Sequence, residues 1–459
     1  MIYNLARQTV KAELFDGADY AVQFSSDEDF SISVATPKWD GTVEYYNGDA
    51  WTTWDGSSVS SGNIKNKQRI YFRGTGNTQI TGGSDATWKL SGQTLLSKPE
   101  IASGGNIETL LDYTTVKSGK HPSMANNCYA YMFSDCATLT TAPSLSATTL
   151  SVGCYHDMFY GCKKLTTAPE LPATELMDTC YQAMFKNCTS LLNAPSLPAT
   201  TLANNCYRTM FYGCTSITTA PELPARILSN YCYSSMFEGC TGLTKAPNLS
   251  TDALADSCYY GMFKNCTNLT TAPDLLDGTL KPHCYQEMFM GCIKLQKPPM
   301  MSVYAGLATS CYQSMFQDCV NLTTAPSLGS TVLYTSCYES MFEGCTSLTR
   351  APQLPAKGAA NSCYKAMFKN CTSLTTIPKL PATTLAYECY VEMFQGCRKV
   401  KLHKLKTSLY PYEYRIPSSG TASKVFNAMT LMFANTGGLF IGEPDLNKTY
   451  YLSSSNSTV

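Results

Sequence analysis

From residue 128 onward the chain repeats one pattern of apolar and polar positions. A Cys-Tyr pair recurs eleven times between Cys128 and Cys389, at intervals of 26 residues except for 27 between Cys284 and Cys311. The consensus unit reads C-Y-x-x-M-F-x-x-C-x-x-L-x-x-A-P-x-L-P-A-x-x-L. In the stretch from Cys258 to Cys266 the apolar residues stand at i, i+1, i+4, i+5 and i+8, which predicts one face of an α-helix. Asp256 and Asn204 are N-cap candidates in their copies, and the Gly or Asn before the second Cys would end the helix. The second half, Leu269 to Leu275, is short, is broken by Pro273, and predicts a brief extended segment. Such a unit cannot bury its apolar stripe alone, whereas stacked copies bury it as ladders of like residues. The pattern therefore predicts an α/β solenoid, leucine-rich-repeat-like, over residues 128–400.

The flanks read differently. Residues 1–100 predict a small antiparallel β domain, built as a sandwich. Phe30 to Val34 alternates as a strand, Thr42 to Tyr46 and Ala50 to Trp54 flank an Asn47-Gly48 turn, and Arg69 to Arg73 is a further strand. Residues 101–127 predict a cap with a short helix carrying Ile107, Leu110 and Leu111 on one face and Asn106 as its N-cap. In residues 401–459, Ala428 to Phe433 repeats the pattern without cysteine and places Leu439 at the recurring Leu position of the unit. An atypical terminal unit is what a stack needs to close its core. Tyr450 to Leu452 predicts a last strand before a Ser-rich tail.

Composition changes the picture in one respect. Of its 459 residues 22 are Cys and only 4 are His. Two Cys in each of eleven copies account for every one, so the count belongs to the repeat. Eight residues of helix span about 12 Å, beyond the roughly 4.4–6.8 Å that a disulfide allows, and the spacing suits zinc poorly. The thiols are expected to be buried and reduced, as small hydrophobes. Basic and acidic side chains balance at 34 each, which argues against nucleic-acid wrapping and against a membrane-surface protein. Met1 to Tyr20 holds no apolar leader core, and no stretch is long enough for a membrane-spanning helix.

No cluster of catalytic type stands out, and no metal or cofactor site is expected. His121, His156, His283 and His403 are scattered over different units. Arg73-Gly74-Thr75-Gly76-Asn77-Thr78 has two glycines at phosphate-loop spacing, but Gln79 stands where a third is needed, and a β-turn is the better reading. Ser26-Asp27-Glu28-Asp29 lacks full calcium-ligand spacing. Asn187-Cys188-Thr189 and Asn265-Cys266-Thr267 are sequons that arise from turn chemistry. A glycoside hydrolase would need two carboxylates across a cleft; Asp40, Glu44 and Asp55 are the candidates, two of them in Trp-Asp-Gly turns. A binding face should use positions that vary between copies. These are Ala130, His156, Gln182, Arg208 and Ser234 in the first half, and Ser144, Glu170, Asn248, Asp274 and Lys379 after the strand Pro. Thr pairs such as Thr166-Thr167 and Thr270-Thr271 add a polar strip.

The repeated unit resembles the BspA-type leucine-rich repeats found in surface proteins of gut bacteria and in their phages, over about residues 105–445. Ile70 to Asn77 and Met432 to Gly438 are similar to segments that accompany such repeats. The resemblance implies adhesion or receptor recognition without catalysis. With no leader or anchor in the sequence, it favours a phage head or tail fibre or decoration protein, assembled in the host cytoplasm and carried on the virion. Residues 1–100 would dock to other virion proteins, and the solenoid would present a face to a host glycan or surface protein. The alternatives are a bacterial surface adhesin and, behind it, a glycan-active enzyme with the repeats as anchor. Homo-oligomerisation stays open; no nucleic-acid partner and no membrane insertion are expected.

Overall fold

The computed structural model describes residues 20–64, 69–92, 99–249, 251–276, 278–303, 305–418 and 427–459. The leader reading of residues 1–20 lies, Tyr20 apart, outside them. The chain divides into two units, Met1–Ile217 and Thr218–Val459.

The first unit opens with two sheets. One has the order β4-β3-β6-β1-β8-β9, from β1 (Val22–Ser25), β3 (Thr42–Tyr46), β4 (Trp51–Thr53), β6 (Arg69–Thr75), β8 (Ile101–Gly104) and β9 (Leu139–Thr141). The other is β5-β2-β7, from β2 (Phe30–Val34), β5 (Val59–Ser60) and β7 (Trp88–Gly92). The β3–β4 hairpin forms as the pattern predicts. Asn47 Oδ1 accepts from the Asp49 and Ala50 N–H groups, and Gly48 takes a positive φ of 100°. Alternating inward residues of both sheets meet in an aromatic core in which Trp88 touches Phe24, Trp54, Phe72 and Phe133. Strands β1, β5, β7 and β8 escape the sequence reading; β1, β5 and β8 are four residues or fewer, while β7 alternates as Phe30 to Val34 does and is open to the same reading.

The cap helix, α1 (Thr109–Lys117), starts later than the pattern suggests, with non-helical backbone at Asp112. Asn106 still supplies its Oδ1 to the Glu108 N–H. Helix α1 packs on β6 so closely that a Cβ on Gly74 would lie 1.7 Å from the Leu110 carbonyl oxygen. Buried Asn77 bonds the Leu110 and Thr42 carbonyls, and its Oδ1 accepts from the Gly41 N–H. The Arg73-to-Thr78 motif is thus a structural turn that ties sheet to helix. The β domain does not stop at residue 100: β8 pairs antiparallel with β1 and parallel with β9 of the first repeat.

The structure corrects the helix expected in each repeat, so the α part of the α/β reading falls. Between the two cysteines the chain is a run of tight turns. In residues 257–266 alternate N–H groups bond differently. Tyr260, Met262, Lys264 and Cys266 donate three residues back, while Tyr259, Gly261, Phe263 and Asn265 donate to carbonyls of the next repeat. Every fourth residue has positive φ, as at Ser257, Gly261 and Asn265. An α-helix would satisfy all these groups internally; the turn run spends half of them on stacking. The extended halves pair in parallel between copies, as in Thr141↔Thr167↔Asn193 and Thr219↔Lys245↔Thr271. Within each unit the protein is a stack of β and turn segments with little helix.

Like residues form ladders inside the stacks. Tyr129, Tyr155, Tyr181 and Tyr207 stack at 5.5–6.0 Å, and Phe237 through Phe394 do so at 5.7–5.8 Å. All 22 cysteines are buried, unbridged thiols. The second Cys of a copy donates its Sγ–H to the Phe carbonyl of the copy before, at 3.1 Å for Cys162 to Phe133 and 3.0 Å for Cys266 to Phe237.

The second unit ends in a sheet β11-β13-β12, from β11 (Leu402–His403), β12 (Tyr412–Arg415) and β13 (Thr449–Leu452). The degenerate copy stacks as predicted: the carbonyls of Ala428, Thr430, Met432 and Ala434 accept from the N–H groups of Tyr390, Glu392, Phe394 and Gly396. Its Leu439 does not take the core position and is exposed, while Phe440 is buried instead. Gly437 and Gly438 lie against the Arg398 carbonyl and the Leu402 backbone, which shifts the following residue outward. The Ser-rich tail is ordered: β14 (Ser457–Thr458) pairs in parallel with β10 (Thr376–Ile377).

Candidate functional site

Alternation along the extended half of each copy decides what faces solvent. The Leu after the strand Pro is buried, and the residue between them points out. Ser144, Glu170, Asn248, Asp274 and Lys379 are all exposed, as the variability argument requires of a recognition row. In the second unit the same repeat position also exposes Met300, Ser327 and Gln353, which the sequence reading does not name. The signal that finds them is the residue after Pro in each of the ten copies that carry one.

The first-half row is not a uniform face. Ala130 and Ser234 are buried, His156 and Gln182 are half-buried, and only Arg208 is exposed. The turn run has no helical outer side, and cross-repeat ion pairs such as Lys264–Glu287 at 2.8 Å and Lys369–Glu392 at 2.7 Å occupy its polar surface.

The Thr strip divides into two roles. Thr166, Thr270, Thr323 and Thr375 donate their hydroxyls to backbone carbonyls of the copy before, at 3.1–3.5 Å. Thr167, Thr219 and Thr271, at the bridge positions, are exposed beside them. In the second unit this surface deepens into a groove of about 650 Å³. Its polar lining includes Thr324, Ser327, Arg350 and Gln353, over a floor that includes Pro326 and Pro352. One cation among hydroxyl and amide groups can hold a ligand by many weak hydrogen bonds.

The remaining candidates have local partners. His121 sits on the buried carboxylate of Glu108, which also accepts from the Ser146 hydroxyl. His156 pairs with Asp157, His283 with Gln286, and His403 with the Leu405 backbone. Asp40 accepts from Thr78 and Gln79; burial alone would raise its carboxyl, but those bonds hold it below the usual range. Asp55 is lowered by its bonds to Ser57, and Glu44 pairs with Arg73 at 2.8 Å. Asp27, Glu28 and Asp29 form an exposed loop. Asn187 and Asn265, at the sequons, occupy positive-φ turn positions. Among the described residues no group of three or more His, Cys, Asp or Glu is placed to hold a metal, and no helix is long and apolar enough to cross a membrane.

Burial pushes the thiols up, to about 11 at Cys154 and about 12 at Cys136 and Cys206. A thiol held protonated is a poor nucleophile and metal ligand. The Tyr rows are likewise core, with no repeat Tyr more than 2% exposed.

Among known families, the chain matches the sequence model described as the BspA type Leucine rich repeat region, in six copies over residues 152–296 and 279–401. No curated protein and no solved structure matches it.

Proposed function

The chain belongs to the BspA-type leucine-rich-repeat family, and from that premise we propose that it is a non-enzymatic recognition protein displayed on a virion or cell surface. The observation that carries this reading is the row after the strand Pro, exposed and chemically varied from Ser144 to Lys379 while the flanking Leu rows stay buried. Variation along a solvent-facing row lets a repeat scaffold change its partner without disturbing its core. The copies would form a solenoid whose varied row, with the hydroxyl-rich Thr strip beside it, takes an extended partner, a host surface glycan or a protein segment. The groove at Arg350 and Gln353 would be one subsite of it. Residues 1–100 would serve as the docking side toward other virion proteins.

Binding of the full chain to a panel of immobilised host-surface glycans and glycoproteins tests this. Arg350→Ala with Gln353→Ala should weaken the best binder about tenfold, the equivalent of one or two lost hydrogen bonds. Ala substitutions of Glu238 and Glu343, on the turn side, should leave it unchanged. Absence of binding across the panel, or equal loss from both sets of variants, would overturn the proposal.

A further inference from the structure

The chain is neutral as a whole, but its charge is not evenly spread. Arg398, Lys399, Lys401, Lys404 and Lys406 fall within nine residues, and no acid occurs between Glu392 and Glu413. All five cations are exposed. Tertiary structure then adds apolar residues to the same surface. The backbone at 437–440 runs beside 400–402, through bonds from Gly437 N–H to the Val400 carbonyl and from Phe440 N–H to the Leu402 carbonyl. This is where the shifted register leaves Leu439 and Ile441 exposed. After β11 the chain turns through a tight loop in which Thr407 and Tyr410 bond each other's backbone and Ser454 N–H holds the Leu409 carbonyl. The Leu405 N–H is held by His403 Nδ1. The loop is braced, yet Leu405, Leu409 and Leu439 are 66%, 70% and 73% exposed.

Several aliphatic side chains held in solvent among lysines are unusual on a protein surface. The chemistry discriminates between partners. Protein interfaces are depleted in Lys, and single-stranded nucleic acid is gripped mainly by aromatic stacking, whereas Leu405, Leu409, Leu439 and Ile441, the most exposed apolar side chains here, are aliphatic. A bilayer with anionic headgroups rewards both features at once, since lysines meet the negative surface while short aliphatic chains enter the headgroup boundary. We propose that this end of the second unit is a peripheral docking surface for anionic lipid bilayers, with Lys401, Lys404 and Lys406 supplying attraction and Leu405 and Leu409 shallow insertion. The contact lies on the membrane and does not span it. The repeat face is not involved, so the two proposals stand or fall separately.

Co-sedimentation of the full chain with phosphatidylcholine vesicles, with and without about 30% phosphatidylglycerol, is the test. Binding should require phosphatidylglycerol and collapse at about 1 M salt, where screening shortens to about 3 Å. Lys401→Ser, Lys404→Ser and Lys406→Ser together should lower partitioning about 100-fold, and Leu405→Ser with Leu409→Ser about tenfold. Both variants alter exposed side chains, and unchanged thermal unfolding would establish that they fold. Equal binding to pure phosphatidylcholine, or no effect of the lysine variants, overturns the proposal. So does concentration-dependent self-association in sedimentation velocity that the same variants abolish, which would assign the surface to a second copy of the chain.

Discussion

At the residue scale, the position before the second Cys shows how one backbone angle selects side chains. It is always Asp, Asn or Gly: Asp135, Gly161, Asn187, Gly213, and on to Asn370 and Gly396. Each of the residues named has positive φ, a backbone region that Gly, Asn and Asp enter at lower cost than other types. Packing adds a second rule. A Cβ on Gly291 would lie 2.3 Å from Asn265 Oδ1, and one on Gly344 would lie 2.2 Å from Asp318 Oδ1. A side-chain oxygen in one copy thus requires Gly in the next. Gly291→Ala should destabilise by about 2 kcal/mol, from the left-handed backbone and the clash. Asn265→Gly in the same chain should recover about 1 kcal/mol of that, because it removes the oxygen. Denaturant unfolding of the four-member cycle measures the coupling; strict additivity would show that the contact is not limiting.

The cysteines follow similar logic. Each is small enough for a crowded interior, and the second of a copy finds a carbonyl acceptor in the copy before. Their burial was legible from the arithmetic of two per repeat. The hydrogen bond was not, because its acceptor lies in a neighbouring copy and the residue that supplies it is Phe, whose side chain gives no hint.

At the scale of elements, the apolar positions at i, i+1, i+4, i+5 and i+8 fit a helix and also fit a turn run with a four-residue period. The pattern of burial is the same in both, so periodicity alone could not separate them. The discriminating signal was the Asp, Asn and Gly at one phase of that period, which reads as a helix stop only if a single turn is considered. The ends show a matching division. Thr81 Oγ1 and Trp88 N–H bond the Ala130 and Met132 carbonyls, so the β domain itself covers the first repeat. At the other end the tail does the closing. Buried Asn456 accepts from Lys401 N–H and donates to the Thr375 and Lys399 carbonyls, beside β14. Asn456→Ala should cost about 2–3 kcal/mol, since it strands buried backbone groups. Its expected mark in hydrogen exchange is faster opening of residues 375–377 and 399–402; protection equal to the parent protein there would refute the closing role.

At the scale of the whole molecule, many buried thiols act together on pH dependence. Their folded-state pKa lies above the ordinary thiol value, so the folded chain holds protons that the unfolded chain gives up. That stability is fully present below about pH 9 and is lost as pH rises toward about 11 at Cys154 and Cys389 and about 12 at Cys136. Each tenfold gain in proton affinity is worth about 1.4 kcal/mol, so Cys154 alone carries roughly 2–3 kcal/mol. The thermal midpoint should therefore fall steeply between pH 9 and pH 11, monitored with reductant present; a flat profile would mean that the thiols are ionised or bridged in the folded protein.

What the chain's own order of residues determined is its unit: the length, the buried rows, the use of cysteine as packing and the variable position after Pro. These follow from local composition repeated at a constant interval, because stacking turns every such row into a ladder. What only the tertiary structure decided is where half of the backbone N–H groups point, which varied row is open, how the two ends are closed, and that the 437–440 segment with its exposed Leu439 runs beside the lysine-bearing 398–402 backbone. Each depends on a partner about 26 residues or more away, and a pattern read along one copy carries no information about what lies beside it.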